Sequence, residues 1–129
     1  MLVLDASALA SWLMPDETGI DLAALSARHD VFAAPGLLWA EIRNILVAAE
    51  RRGRIDRETV DLGIAAIDEL VIVLDRSPSS TSVIALCRRH GLTVYDALYL
   101  DLALREGAEI ATLDAALARA ARAEGVQVA

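Results

Sequence analysis

The 129-residue sequence contains no lysine, so its positive charge comes entirely from 12 arginines. Without a lysine amine there is no Schiff-base chemistry, and no Walker-type loop whose lysine reaches the phosphates of a nucleotide. The single cysteine, Cys87, excludes an internal disulfide, and two histidines without spaced cysteine partners make no zinc cage of the usual kind. No G-x-S-x-G elbow is present and neither His29 nor His90 has an evident partner, which leaves a serine hydrolase unsupported. No apolar run approaches the roughly 18 residues of a membrane span. The opening Met1 to Asp5 lacks the basic start and the length of a signal peptide. The expectation is a cytoplasmic protein with no membrane association. A net charge of -7 disfavours loose adhesion to a phosphate backbone, so any nucleic-acid role must come from a local site.

What is present is apolar. Hydrophobic residues make up 56% of the chain, which excludes disorder and implies that some apolar surface meets a partner. The length suits one domain, residues 1–129, around one continuous core. Leu2 to Leu4 reads as a short buried strand and Ala6 to Leu13 as a helix ended by Pro15. Thr18 is expected to cap a second helix to about Arg28, followed by a strand near Val31 to Ala33. A long helix from Leu37 to Arg52 stops at Gly53, Asp56 caps another to Leu70, and the run Val71 to Leu74 is a strand. Helices over Ser79 to His90 and Tyr95 to Glu106 close at Gly91 and Gly107. A strand within Glu109 to Leu113, a helix capped by Asp114 and an edge strand at Val126 to Val128 complete the chain. Short apolar strands alternating with longer helices indicate an α/β domain with a mostly parallel sheet covered on both faces.

In such sheets the ligand crevice lies beyond the carboxyl ends of the strands, which directs attention to acids at strand ends. Asp5 and Asp114 stand there, with helix capping as the plain alternative for each. Asp75 ends a strand in the same way with no further feature that points to chemistry. Glu41 is harder to explain, because Leu37, Leu38, Ile45 and Ala48 all fall within about 60° of it on a helix turning 100° per residue. A carboxylate in the middle of an apolar face is costly without a partner. Asn44, at i+3, shares that face, and a core salt bridge to an arginine is the alternative. Asp96 opens a helix and shares a face with Tyr99, Leu100 and Ala103, although an acid in a first turn also complements the helix dipole. Asp101 is expected to point outward to solvent with Arg105 as its i+4 partner. Converging carboxylates with no lysine or histidine nearby need a hard divalent cation, Mg²⁺ or Mn²⁺, which makes phosphodiester hydrolysis the simplest chemistry.

Four short motifs occur in order: Val3-Leu4-Asp5-Ala6-Ser7, Pro35 with Glu41 and Asn44, Thr93-Val94-Tyr95-Asp96-Ala97, and Ala111-Thr112-Leu113-Asp114. Over essentially the whole chain the sequence resembles the PIN-domain ribonucleases, specifically the VapC toxins of toxin-antitoxin pairs. The resemblance implies a PIN-like three-layer α/β/α fold with a short, mostly parallel central sheet. It implies a metal-binding, catalytic pocket of Asp5, Glu41, Asp96 and Asp114, supported by Ser7, Asn44 and Thr112. It further implies Mg²⁺-dependent cleavage of tRNA or ribosomal RNA, a homodimer, and inhibition by a cognate antitoxin. Thr93 stands where many relatives have serine, which keeps the hydroxyl. Arg51, Arg52, Arg54 and Arg57 form the densest basic patch, with Arg88 and Arg89 a second one. A receiver-like module would normally use a lysine that this chain lacks, and a haloacid-dehalogenase-type phosphatase would need an acid at position 7, which is Ser. A catalytically inactive PIN-like binding module is the remaining alternative.

Overall fold

Strand β1 (Leu2–Leu4) is buried on both faces, which is why its three residues form an unbroken apolar run instead of an alternation. The computed structural model describes every residue from Met1 to Ala129. After β1 come α1 (Ala6–Leu13), α2 (Leu22–Arg28), β2 (Phe32–Pro35), α3 (Leu38–Arg51), α4 (Arg57–Glu69) and β3 (Ile72–Asp75). Then follow α5 (Ser80–His90), α6 (Val94–Glu106), β4 (Glu109–Ala111) and α7 (Ala115–Ala123). All strand pairs are parallel, in the order β3-β2-β1-β4.

Successive strand residues face opposite layers. Leu2, Leu4, Phe32 and Ala111 pack with Leu22 and Leu25 of α2 on one face, while Val3, Ala33 and Ile110 join the larger core built with α3 to α7 on the other. Helices therefore cover both faces, giving the α/β/α layering. The chain winds outward from β1 through β2 to β3 and then returns to lay β4 on the other side of β1. The strand order thus reverses between β1 and β4, and the crevice at their carboxyl ends is where open α/β sheets place ligands. Leu4 pairs with Ala111, so the next residues, Asp5 and Thr112, emerge side by side at that point.

Several boundaries differ from the sequence expectation for local reasons. Helix α2 starts at Leu22, capped by Asp21 through the Ala24 N–H at 2.9 Å, not at Thr18. The preceding segment is pressed against α1: a Cβ on Gly19 would lie 2.4 Å from the Ser11 carbonyl oxygen, and the Ile20 N–H donates to Ser11 Oγ. That close approach holds the chain out of helix until Asp21. The final segment is reduced to a single bridge between Ile110 and Val128. Helices α5 and α6 close at Gly91 (φ 66°) and Gly107 (φ 59°), left-handed positions that favour glycine.

Candidate active site

Asp5 occupies the cap position of α1 but makes no capping hydrogen bond. Its buried Oδ2 instead accepts hydrogen bonds from Ser7 Oγ at 2.5 Å and from Thr112 Oγ1 at 2.6 Å. Each hydroxyl is itself oriented by the turn after β4. The Leu113 N–H donates to Ser7 Oγ at 2.9 Å, and the Asp114 N–H donates to Thr112 Oγ1 at 3.0 Å. Two backbone donors thus act through two hydroxyls on one carboxylate oxygen, an arrangement a helix cap has no need of.

Asp114 does cap its helix, with Oδ1 accepting the Leu117 N–H at 2.8 Å. Glu41, half-buried in the first turn of α3, accepts a hydrogen bond on Oε1 from Tyr99 Oη at 2.7 Å. No arginine reaches it. The Asn44 expected to steady it is exposed and makes no hydrogen bond to it, because Tyr99 of α6 takes that role from across the site. Asp96 lies in the first turn of α6, where its N–H donates to the cap residue Thr93 at 3.2 Å. Asp5, Glu41 and Asp114 share one property: one carboxylate oxygen is anchored to the fold, and the other takes no hydrogen bond from the protein.

The negative charges of these acids are felt across the site. Burial raises the Glu41 carboxyl above the ordinary glutamate range; the Tyr99 hydrogen bond opposes this, and the charges of Asp5 and Asp96 push further upward. Burial likewise raises Asp96, opposed by Thr93 and reinforced by Asp114 and Asp5. Every one of the four therefore acts on at least one other. None belongs to an ion pair, although arginines make seven contacts with carboxylates elsewhere. The donor set is carboxylate oxygen alone, with no nitrogen or sulfur. No three His, Cys, Asp or Glu side chains are grouped so as to hold a metal ion by themselves. Such a loose oxygen set fits Mg²⁺, which is commonly held by one or two carboxylates and keeps several of its waters.

Two acids outside the site behave differently. Asp75 Oδ2 accepts from Arg105 at 2.5 Å, which accounts for its place at a strand end without chemistry. Asp101 is fully buried, not directed outward, and bonds Arg105 Nε at 2.9 Å while its Oδ1 has no partner. Its position turns away from the site as expected, but α6 is covered nearly all round and has no solvent face there. The basic patches are also partly neutralised. Arg54 is bound to Asp16 and Glu17, and Arg89 to Glu124, whereas Arg51, Arg52, Arg57 and Arg88 are exposed and in no ion pair.

The sequence model of the PIN domain matches residues 2–123. The chain belongs to the PIN-domain family. It is 31% identical over 121 residues to a protein of Pyrobaculum aerophilum named ribonuclease VapC3, covering 91% of this chain and 92% of that protein. Among solved structures it is similar to PAE2754 from Pyrobaculum aerophilum, with a TM-score of 0.72 and 22% identity over 98% of this chain and 89% of that one. FitAcB from Neisseria gonorrhoeae gives a TM-score of 0.69 at 16% identity, covering 99% and 96% of the two chains. A toxin-antitoxin complex from Klebsiella pneumoniae gives 0.60 at 19% identity, covering 88% and 87%. At these identities the solved structures establish the PIN fold. No helix of the PIN domain is long and apolar enough to cross a membrane.

Proposed function

We propose that this PIN domain is a metal-dependent endoribonuclease, the VapC-like toxin of a toxin-antitoxin pair, hydrolysing phosphodiester bonds in tRNA or ribosomal RNA. One observation carries the reading: Asp5 and Asp114 follow the ends of paired strands β1 and β4, Tyr99 ties Glu41 to the helix that carries Asp96, and no basic side chain pairs with any of the four. Folding such a cluster is costly unless a cation completes it. The counter-charge we assign is Mg²⁺, with Mn²⁺ as a substitute, held by Asp5, Glu41, Asp96 and Asp114. Such a cation supplies Lewis acidity, acidifying water and offsetting charge on a phosphoryl oxygen. The similarity to a protein named ribonuclease VapC3 supports RNA as the substrate.

The chain's own residues prepare the site. Ser7 and Thr112 fix the orientation of Asp5, and the Leu117 N–H fixes Asp114, leaving the second oxygen of each available. With Arg54 and Arg89 taken up in ion pairs, Arg51, Arg52, Arg57 and Arg88 are the members of the two patches free to meet an RNA backbone. Exposed Trp39, Tyr95 and Leu113 adjoin the site acids in sequence, and Val71 and Val73 are exposed at the β3 edge. We assign this apolar surface to a second copy of the chain and to a cognate antitoxin segment, whose basic side chain would meet the acids. The similarity to a solved toxin-antitoxin complex supports the second partner.

The test is cleavage of RNA by protein freed of antitoxin. Cutting with Mg²⁺ or Mn²⁺ that stops on addition of EDTA supports the reading, and undiminished cutting in EDTA contradicts it.

A further inference from the structure

We infer that Tyr99 is a positioning residue of the acid site, holding one oxygen of Glu41 so that the other is presented to a divalent cation. The inference rests on the proposed metal-dependent function. Tyr99 is 0% exposed and is the largest fully buried side chain of the protein. A buried phenol needs a hydrogen-bond acceptor, and the one it has is a site carboxylate 58 positions away, at 2.7 Å.

Glu41, unlike Asp5 with its two hydroxyl donors, is held by this contact alone. Asp5 and Asp114 have short side chains held by groups adjoining them at the β1–β4 end. Glu41 has one more methylene and no other hydrogen-bond partner. Helix α3, which carries it, packs chiefly against α1 and α4, and the one hydrogen bond to the Glu41 side chain comes instead from α6. The Tyr99 hydroxyl spans that gap and selects one rotamer of the glutamate. Tyr99 lies three residues after Asp96, on the same face of α6. A single helix thus carries one acid of the site and sets the orientation of a second.

A merely structural tyrosine and a positioning one differ in what removal of the hydroxyl does. Tyr99→Phe keeps the ring and its packing. If the hydroxyl only satisfies a buried group, the variant loses some stability and binds metal as before. If it positions Glu41, metal affinity falls, because groups that orient metal ligands typically account for about 10- to 100-fold in affinity.

The experiment is a calorimetric titration with Mn²⁺ alone on the wild type, Tyr99→Phe, Glu41→Gln and the double variant. The expected result is a dissociation constant raised about 10- to 100-fold in Tyr99→Phe, with the double variant no weaker than Glu41→Gln. A wild type that binds Mn²⁺ alongside a Tyr99→Phe that binds it equally well overturns the inference. So does a further independent loss in the double variant. A wild type that takes up no Mn²⁺ overturns the proposed function itself. Should Tyr99→Phe fail to fold, the wild type labelled with 3-fluorotyrosine provides a second readout, since the chain has only two tyrosines. Titration with Mg²⁺ should move the Tyr99 fluorine resonance, assigned by a Tyr95→Phe variant, and an unmoved resonance at saturation overturns the inference.

Discussion

Thr112 Oγ1 donates a hydrogen bond to Asp5 Oδ2 at 2.6 Å, joining residues 107 positions apart at the ends of neighbouring strands. The same hydroxyl accepts the Asp114 N–H, so Thr112→Val would disturb two acids at once. Leaving buried polar groups unsatisfied costs about 1–3 kcal/mol, and the expected loss in urea unfolding lies in that range. Initial rates of RNA cleavage should fall about tenfold or more. Thr112→Ser keeps the hydroxyl and should stay near the wild type in both measurements.

The acids are expected to act as a unit. Asp5→Asn and Asp96→Asn should each abolish most cleavage, and the double variant should be little worse than either alone. Multiplicative losses in single-turnover rates would instead assign the two residues separate roles.

Arg105 bridges Asp75 and buried Asp101, which makes it the support of an acid with no other donor. Arg105→Ala strands that buried carboxylate, and a buried polar group left without its partner costs about 1–3 kcal/mol, more when it is charged. Asp75→Asn leaves Asp101 paired and should cost far less, with the cleavage rate nearly unchanged. Denaturation midpoints for the two variants, set beside their rates, separate this structural cluster from the acid site.

Glu41 is held above its ordinary value of 4.5, mainly by burial and then, against the Tyr99 hydrogen bond, by Asp5 and Asp96. A group protonated more readily in the folded state lowers stability as pH rises from its unfolded value through its folded one. In metal-free protein, Glu41→Gln should therefore be more stable than the wild type at neutral pH. That advantage should shrink as pH falls to the ordinary glutamate value and below, where Glu41 is neutral in both states. Melting curves of the pair across pH 4 to 8 measure it, and a difference independent of pH would contradict the assignment.

Most of the fold was legible because its signals are local. Asp56, Ser79 and Asp114 cap the helices they precede, Gly91 and Gly107 end theirs, and the buried strands are short apolar runs. The start of α2 at Leu22 instead of after Thr18 has a tertiary cause, the packing of Gly19 on the backbone of α1. Strand ends and helix faces singled out the four candidate acids, and the apolar face around Glu41 was readable in the same way. Its partner was not. Periodicity placed Tyr99 beside Asp96 on one face of α6, but only the packing of α6 against the sheet brings its hydroxyl to a glutamate on α3. Asp101 shows the same limit, since a helical wheel gives the direction of a side chain without telling what covers it.

If Asp5, Glu41, Asp96 and Asp114 form a divalent-cation site, thermal melting with and without metal reveals it before any RNA is known. A ligand that binds only the folded state contributes about 2.7 kcal/mol at a hundredfold excess over its dissociation constant, which corresponds to several degrees for a domain of this size. Saturating Mg²⁺ or Mn²⁺ should raise the wild-type melting temperature by that amount beyond matched ionic strength. Asp96→Asn should melt no lower than the wild type without metal and should lose most of the metal-induced shift. A wild type with no metal-specific shift, or an Asp96→Asn variant that keeps the full shift, would contradict the four-acid site.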